Sequence, residues 1–479
     1  MPLRPLLVAL AASAMLSACA VGPDYVRPAL PVPPAYKESG DWKPAEPQAA
    51  ASGLAWWQAY GDATLNELMT DAQAANQTLR QAEAAWRQAG ALADADRAGL
   101  FPALGLDASV ARARTHGTGV VRSGDANALG LAASWEPDLW GSVRRTIESG
   151  NAGALASADD LAAARLSIQT TLAQDYLQLR VVDQQRDLVD ATVAAYAQAL
   201  KLTRAQHGAG VALRSDVALA ESQLAQAQAA AVDLEATRAQ LEHAIAVLTG
   251  RAPAQFSLAR APAAQPLALR PPAKPAGLPS ELLEHRPDIA GAERRAAAAN
   301  ANIGVAKAAY FPQLTLSANG GFSAATLGNL FDTPSRVWSL GAALAQTIFD
   351  GGLRRARTAQ AEAAYDVAVA QYKQTVLGAF QQVEDELALL RLLDQETTLQ
   401  NQAVRSSQLA EQLALNQYRA GSASYLSVVT AQTLSLANQR SAVQLRGRLL
   451  AASISLVAAT GGGWSANDPA AAVPASAPQ

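Results

Sequence analysis

The stretch Leu100–Ala108, LFPALGLDA, returns as Tyr310–Ala318, YFPQLTLSA, about 210 positions later in a chain of 479 residues. Three more pairs keep nearly the same offset and order. LWGSVRR at Leu139–Arg145 answers FDGGLRRAR from Phe349, and QHGAGVALRSDVALA (Gln206–Ala220) answers QYRAGSASYLSVVTA (Gln417–Ala431). LTG at Leu248–Gly250 answers ATG at Ala459–Gly461. Ordered matches at one offset are the signature of an internal repeat, and here they mean a tandem duplication.

Working outward from the FP pair, the residues alternate. Leu104, Leu106, Ala108 and Val110 fall on one face, and Gly105, Asp107, Ser109 and Ala111 on the other. A second run places Leu129, Leu131, Ala133 and Trp135 opposite Gly130, Ala132 and Ser134. The second half repeats this with Leu314, Leu316 and Ala318, then Trp338, Leu340, Ala342 and Leu344. Period two with one apolar face predicts strands. Strands of about ten residues, apolar outside and small or polar inside, suit a membrane barrel with a wet interior. The intervening RTHGTGVVRSGDAN and SAATLGNLFDTPSR are read as long loops.

After each hairpin the pattern turns helical and stays free of proline, over 141–206 and 352–417. At about 1.5 Å per residue each run would be about 100 Å long. Leu172, Leu179, Val193 and Leu200 keep a seven-residue spacing broken at Arg186. Val383, Leu390 and Val404 keep it in the second half, broken at Thr397. That is a coiled-coil-like seam. Glycine-containing turns end both runs, and shorter helices follow at 215–249 and 426–460. Helical stretches also precede each hairpin, Gln77–Gly99 and Pro287–Ala309, so the short helices are expected to stack end to end beside the long ones.

The expected organisation is therefore a first repeat over 62–250 with its hairpin at 103–137, and a second over 280–460 with its hairpin at 313–349. A proline-rich crossover, 251–279, joins them, and 461–479 forms a disordered tail. The fold class is mainly α with a small β part.

The N-terminus reads as an export signal over 1–18: Arg4, a short apolar stretch from Leu6 to Leu16, then Ser17 and Ala18. About eleven apolar residues are too few to span a bilayer. The LSAC that ends it resembles the bacterial lipobox, and Cys19 is the only cysteine in the chain. Cys19 is expected to carry a covalent lipid and to open a lipidated extended segment, 19–61, in the outer membrane. No other cofactor is expected.

Net charge is −3, which argues against a basic nucleic-acid-binding surface. The four histidines, His116, His207, His243 and His285, lack metal-ligand spacing. Neither a G-x-S-x-G turn nor a phosphate-binding glycine loop occurs, so no enzyme is expected. After the signal no run of eighteen uninterrupted apolar residues remains, so strands must do any crossing. Four strands cannot close a barrel, and open edges are not tolerated in lipid. Two copies would supply eight strands and three would supply twelve, enough for a pore.

VGPDYVRP, WWQAYGDATLNELMTDAQAAN, WEPDLWGSVRR, LPSELLEHRPDIAGAERRAAAANANIGVAKAAYFPQLTL and IFDGGLRRAR carry a family likeness. Over nearly its whole length the chain resembles the TolC/OprM/NodT outer-membrane efflux proteins. The resemblance implies a homotrimer with a twelve-stranded membrane barrel continuous with a twelve-helix periplasmic barrel. It implies docking with a periplasmic adaptor and an inner-membrane pump, usually of the RND class, and export of drugs or other small toxic compounds.

The resemblance also places a closed periplasmic tip at the helix turns. The matching residues are His207, Gly208, Gly210, Arg214, Ser215 and Asp216, and in the second repeat Tyr418, Arg419, Gly421, Tyr425 and Leu426. Arg419 is a candidate for a releasable ion pair. Ordinary turn chemistry competes at each position: Ser215 reads equally as a helix N-cap, and Tyr418 as a packing residue. Thr430 stands where relatives often carry Asp, which leaves Leu426 to make a more apolar closure. Glu384–Asp385 reads as a solvated helix face. Three other readings stay open: a type I protein-secretion channel, a structural coiled-coil lipoprotein of the envelope, and a surface-anchored enzyme, the last disfavoured by the motifs above.

Overall fold

The fold was established from a computed structural model, which describes residues 20–39, 55–117, 120–260 and 285–464, the side chains of 115–122 excepted. The expected signal, Cys19, most of the crossover and residues 465–479 of the tail lie outside these residues; the expected tail starts later than 461, because Gly461–Trp464 form a bonded turn with Trp464 buried. Helices dominate: α1 (Ala63–Ala75), α2 (Gln77–Ala98), α3 (Ser142–Gly208), α4 (Arg214–Leu248), α5 (Pro287–Ala308), α6 (Leu353–Arg419) and α7 (Tyr425–Ala459). The strands are β1 (Ala103–Gly117), β2 (Val120–Trp135), β3 (Gln313–Ala324) and β4 (Arg336–Ala345). Both long helices, α3 and α6, have 67 residues, and both shorter partners, α4 and α7, have 35.

The chain forms two compact units that cut across the repeats, each repeat contributing to both. One takes described residues 20–30, 84–158 and 291–374; the other takes 31–39, 55–83, 159–260, 285–290 and 375–464.

The first unit holds an antiparallel sheet in the order β1-β2-β3-β4. Its register sets Leu106 opposite Leu131, Leu131 opposite Gly320, and Gly320 opposite Trp338, so the apolar positions of all four strands share one face. Leu104, Leu106, Val110, Trp338, Leu340 and Leu344 lie open on that face. The first hairpin differs from the sequence reading. RTHGTGVVRSGDAN is largely strand, because pairing continues from Ala113↔Gly124 to Gly117↔Val120 and Arg112 meets Asp125 at 3.4 Å across the ladder. Opposite charges on facing residues stabilise such a pair. In the second hairpin the expected loop is present and contains two short 3-10 turns, Leu327–Asn329 and Thr333–Ser335.

One device joins strand to helix in both repeats. The Asp138 carboxylate accepts from Val143 N (3.0 Å), Arg144 N (2.9 Å) and Arg144 Nε (3.1 Å). Asp350 accepts from Gly352 N (2.9 Å), Arg354 N (3.2 Å) and Arg354 Nε (2.5 Å). An anion held by the first-turn N–H groups satisfies donors that the helix itself leaves unpaired. Nearby, Trp140 stacks on Phe311 at 4.8 Å and donates Nε1–H to Pro312 O at 2.7 Å. Residues 20–30 follow this unit in extended form. Val21 N donates to Trp140 O (3.0 Å), Asn300 Nδ2 to Pro23 O (2.9 Å), and Asp24 pairs with Arg145 (2.8 Å).

The second unit has the larger core. Trp56, Trp57 and Tyr60 pack with Leu65, Leu68 and Met69 of α1, Leu172, Tyr176 and Leu179 of α3, Ile245 of α4, and Leu450 and Ile454 of α7. Each fully buried large side chain contributes about 1.5–3 kcal/mol. The α1 turn was not separated from its surroundings in the sequence reading, and it supplies much of this core. Helix α7 is also long and apolar enough to cross a membrane by composition, yet half of its most apolar window is buried within the fold.

End-to-end stacking is made by one polar residue per repeat. Asn76 donates Nδ2 to Leu248 O of α4 at 2.8 Å and accepts Leu79 N of α2 at 3.0 Å. Arg286, just before α5, donates to Ala459 O of α7 at 3.0 Å. The matched glycines complete both joints: a methyl at Gly250 would overlap the Ala75 carbonyl, and one at Gly461 the His285 carbonyl.

The break in the first seam is ionic. Arg186 binds Asp190 (2.8 Å), Glu235 (2.5 Å) and Ala231 O (2.7 Å). Arg238 of α4 binds Asp183 (2.8 Å), Glu242 (2.6 Å) and Leu258 O (2.6 Å), which fixes the start of the crossover. At the break in the second seam, Thr397 bonds back to Leu393 O. Glu384, read as solvated, accepts Lys37 N at 2.7 Å and Glu38 N at 2.9 Å, holding the N-terminal segment to α6.

Candidate functional site

The two helix turns share one geometry. Val211 N reaches back to Gln206 O, and Ser422 N to Gln417 O, each at 2.9 Å. Gly210 and Gly421 take φ values of 79° and 73°. A six-to-one bond closing over a left-handed residue is the Schellman stop, and glycine carries it without steric cost.

Around this shared backbone the side chains diverge. In the first turn His207 Nδ1 lies 2.9 Å from Ala212 O, and His207, Gly208, Gly210, Arg214 and Ser215 are all exposed. Leu213, not Ser215, is the N-cap of α4; Asp216 reaches back and accepts Leu213 N at 3.1 Å. A carboxylate at the third helical position can satisfy that donor, so the Ser215 hydroxyl is not needed for it. Beside the turn, Arg204 binds Glu221 at 2.8 Å across α3 and α4, and this hydrogen bond holds the Glu221 carboxyl below its usual range.

The second turn points inward. Tyr425, 3% exposed, packs with Leu200 and Val217 of the first repeat and with Val428 of its own helix. Its ring lies 5.4 Å from Tyr418, whose hydroxyl donates to Gln206 Oε1 at 2.6 Å. The Tyr425 phenol is hydrogen-bonded with Thr203, and burial, its largest cause, pushes its pKa up to about 12. Further along α3, the Tyr196 phenol is hydrogen-bonded with Thr433 of α7, and burial raises its pKa. The first repeat is thus tied to the second by three phenols, each bonded to a neutral partner.

Of the expected residues, Tyr418 and Tyr425 are brought together with the first repeat, whereas Leu426 and Thr430 lie exposed on α7. Thr430 only bonds back to Leu426 O at 3.0 Å. Arg419 is exposed and makes no ion pair among the described residues. Sequence reasoning missed Gln206, Thr203, Tyr196 and Thr433. Tyr196, Leu200 and Thr203 fall at i, i+4 and i+7, one helix face, and a threonine on an apolar stripe was the available signal. Cys19 lies outside the described residues.

The family model described as outer membrane efflux protein matches residues 68–251 and 278–462. The chain belongs to that family. The two matched segments follow the two sequence repeats, and the chain's place is the outer membrane. The pyoverdine export outer membrane protein OpmQ of Pseudomonas aeruginosa is 33% identical over 447 residues, covering 90% of this chain and 93% of OpmQ. The toluene efflux pump outer membrane protein TtgC of Pseudomonas putida is 31% identical over 467 residues, 96% of each. Among solved structures, the outer-membrane channel OprN superposes with a TM-score of 0.87 at 31% identity, over 93% of this chain and 100% of that one.

Proposed function

We propose that three copies of this outer membrane efflux protein close their four-stranded sheets into one twelve-stranded barrel, continued on the periplasmic side by a barrel of twelve helices. The observation that carries this reading is the sheet: all four strands turn one apolar face outward, and β1 and β4 remain unpaired at the edges. Such a sheet is stable in lipid only when other copies pair its edges. Cys19, acylated after removal of the signal, anchors the assembly. The channel is the exit duct of a tripartite pump, docked to a periplasmic adaptor and an inner-membrane pump of the RND class, and it passes drugs or other small toxic compounds.

The helix turns form its closed tip and open on docking. Support comes from the phenol bonds across the repeats and from a family whose members named above serve export of pyoverdine and of toluene at similar identity to this chain. That breadth fits a duct whose pump selects the cargo. The test is native mass spectrometry of the protein in nanodiscs, combined with cysteine capture of partners at Ser215→Cys and Ser422→Cys. Three chains with a drug-pump adaptor caught at the turns is the expected result. A stable monomer refutes the barrel, and a protein-secretion adaptor refutes the cargo assignment.

A further inference from the structure

Over the stretches whose side chains are described, the inner face of the sheet is nearly free of charge. Over 103–114, 123–135, 313–324 and 336–345, register assigns it alanine, glycine, serine, threonine, asparagine, glutamine and valine, with a single ionisable residue, Asp107. The other charged residues of these stretches, Arg112, Arg114, Asp125 and Arg336, fall on the opposite face, where Arg112 and Asp125 pair with each other. Asp107 also borders a shallow cavity of about 320 Å³ on the inner face, with Ser109, Asn319 and Ser339 among its walls. Gly130 and Gly321 leave backbone as its floor. The strands come so close there that a methyl at Gly321 would overlap the Leu129 carbonyl. Asn319 Nδ2 lies 3.3 Å from Ser339 Oγ, so hydroxyl and amide oxygens line the wall beside the carboxylate.

We infer that Asp107 sets the charge preference of the stretch of barrel lumen around it, favouring inorganic cations and small organic ammonium compounds over anions. The inference rests on the trimeric-barrel reading, which repeats Asp107 three times around one lumen. Rings of acidic side chains select cations where no fixed positive charge opposes them. Over these stretches the carboxylate faces small neutral residues, and mobile salt limits the reach of its field. The Debye length is about 30 Å at 0.01 M and about 3 Å at 1 M, so the preference is strong in dilute salt and vanishes in concentrated salt.

The test uses Ser109→Cys as a reporter, because residues two apart on a strand lie about 6.6 Å from each other on the same face. Trimers in vesicles are treated from the outer side with a trimethylammonium and a sulfonate methanethiosulfonate, and the wild-type chain supplies the blank for Cys19. One unit charge at about 7 Å in water changes the ratio of the two rates by about fivefold at 0.01 M salt. Adding Asp107→Asn is expected to lower the cation-to-anion rate ratio by about that factor, and Asp107→Lys to invert it. Both effects should disappear at 1 M salt. An unchanged ratio in intact trimers carrying Asp107→Asn overturns the role of Asp107 and leaves the barrel standing. If Ser109→Cys is unreactive to both reagents while Leu340→Cys reacts, the barrel reading itself fails.

Discussion

Replacing Tyr418 and Tyr425 with phenylalanine should open the tip without unfolding the helices. Each substitution keeps the ring and removes one hydroxyl. Tyr418 loses a 2.6 Å bond to Gln206, and Tyr425 its bond to Thr203, whose own hydroxyl still donates to Ala199 O at 3.0 Å. A neutral hydrogen bond contributes about 1 kcal/mol net, so the pair is worth about 2 kcal/mol per protomer. That is roughly a 30-fold shift per protomer towards any state in which the repeats part. If three protomers open together the effect multiplies, to about 6 kcal/mol.

The assay is single-channel recording, with open probability compared among wild type, the double variant and Tyr60→Phe. Tyr60 is the control because its hydroxyl meets Ser453 Oγ at 2.8 Å inside the core, away from the turns. It should lose similar stability and gain no conductance. Equal open probability in all three, with the trimer intact, would falsify the phenol lock. Base should act like the double variant, but only at extreme pH. The Tyr425 pKa is raised from an ordinary value near 10 to about 12, so the folded state holds its proton more tightly. Its contribution is full below about pH 10 and is lost as pH rises through 12.

Arg238→Ala should cost about 1.5–3 kcal/mol, because it removes the charged hydrogen bond to Asp183, 3% exposed, and leaves that carboxylate only the more distant Arg260 at 3.8 Å; chemical denaturation measures it, and a loss under 1 kcal/mol would count against the network. Glu386→Gln should raise the melting temperature at neutral pH. One Glu386 oxygen is buried without a partner, and burial first, then Asp385, raises its pKa. A raised carboxyl pKa stabilises below the unfolded value and costs stability above it, so the gain should shrink towards pH 4. Gly461→Ala should reduce folded yield sharply, since it combines a φ of 89° with overlap of the His285 carbonyl, whereas Gly153→Ala, with open space around it, should be silent.

Periodicity could reveal what it did because two repeats constrain each other. The ends of α3 and α6 were legible to within two residues from glycines that recur at one offset. The continuation of β1 and β2 through RTHGTGVVRSGDAN was not, because small and polar residues alternate too weakly to signal a face, and only the cross-strand partner Asp125 explains Arg112. At the helix turns the bonds that form within the chain were not legible. Arg419 drew notice as a charge, yet the bonds between repeats come from phenols whose partners, Gln206 and Thr203, lie in the other repeat, 212 and 222 positions away. No spacing rule joins residues so distant; only the meeting of the C-terminal ends of α3 and α6 does. The two copies have therefore diverged in side-chain chemistry while keeping one backbone. The first exposes Arg214 where the second buries Tyr425, so the duplicated turns are not chemically equivalent. One copy presents polar groups to solvent, and the other supplies the ring that packs the two repeats together.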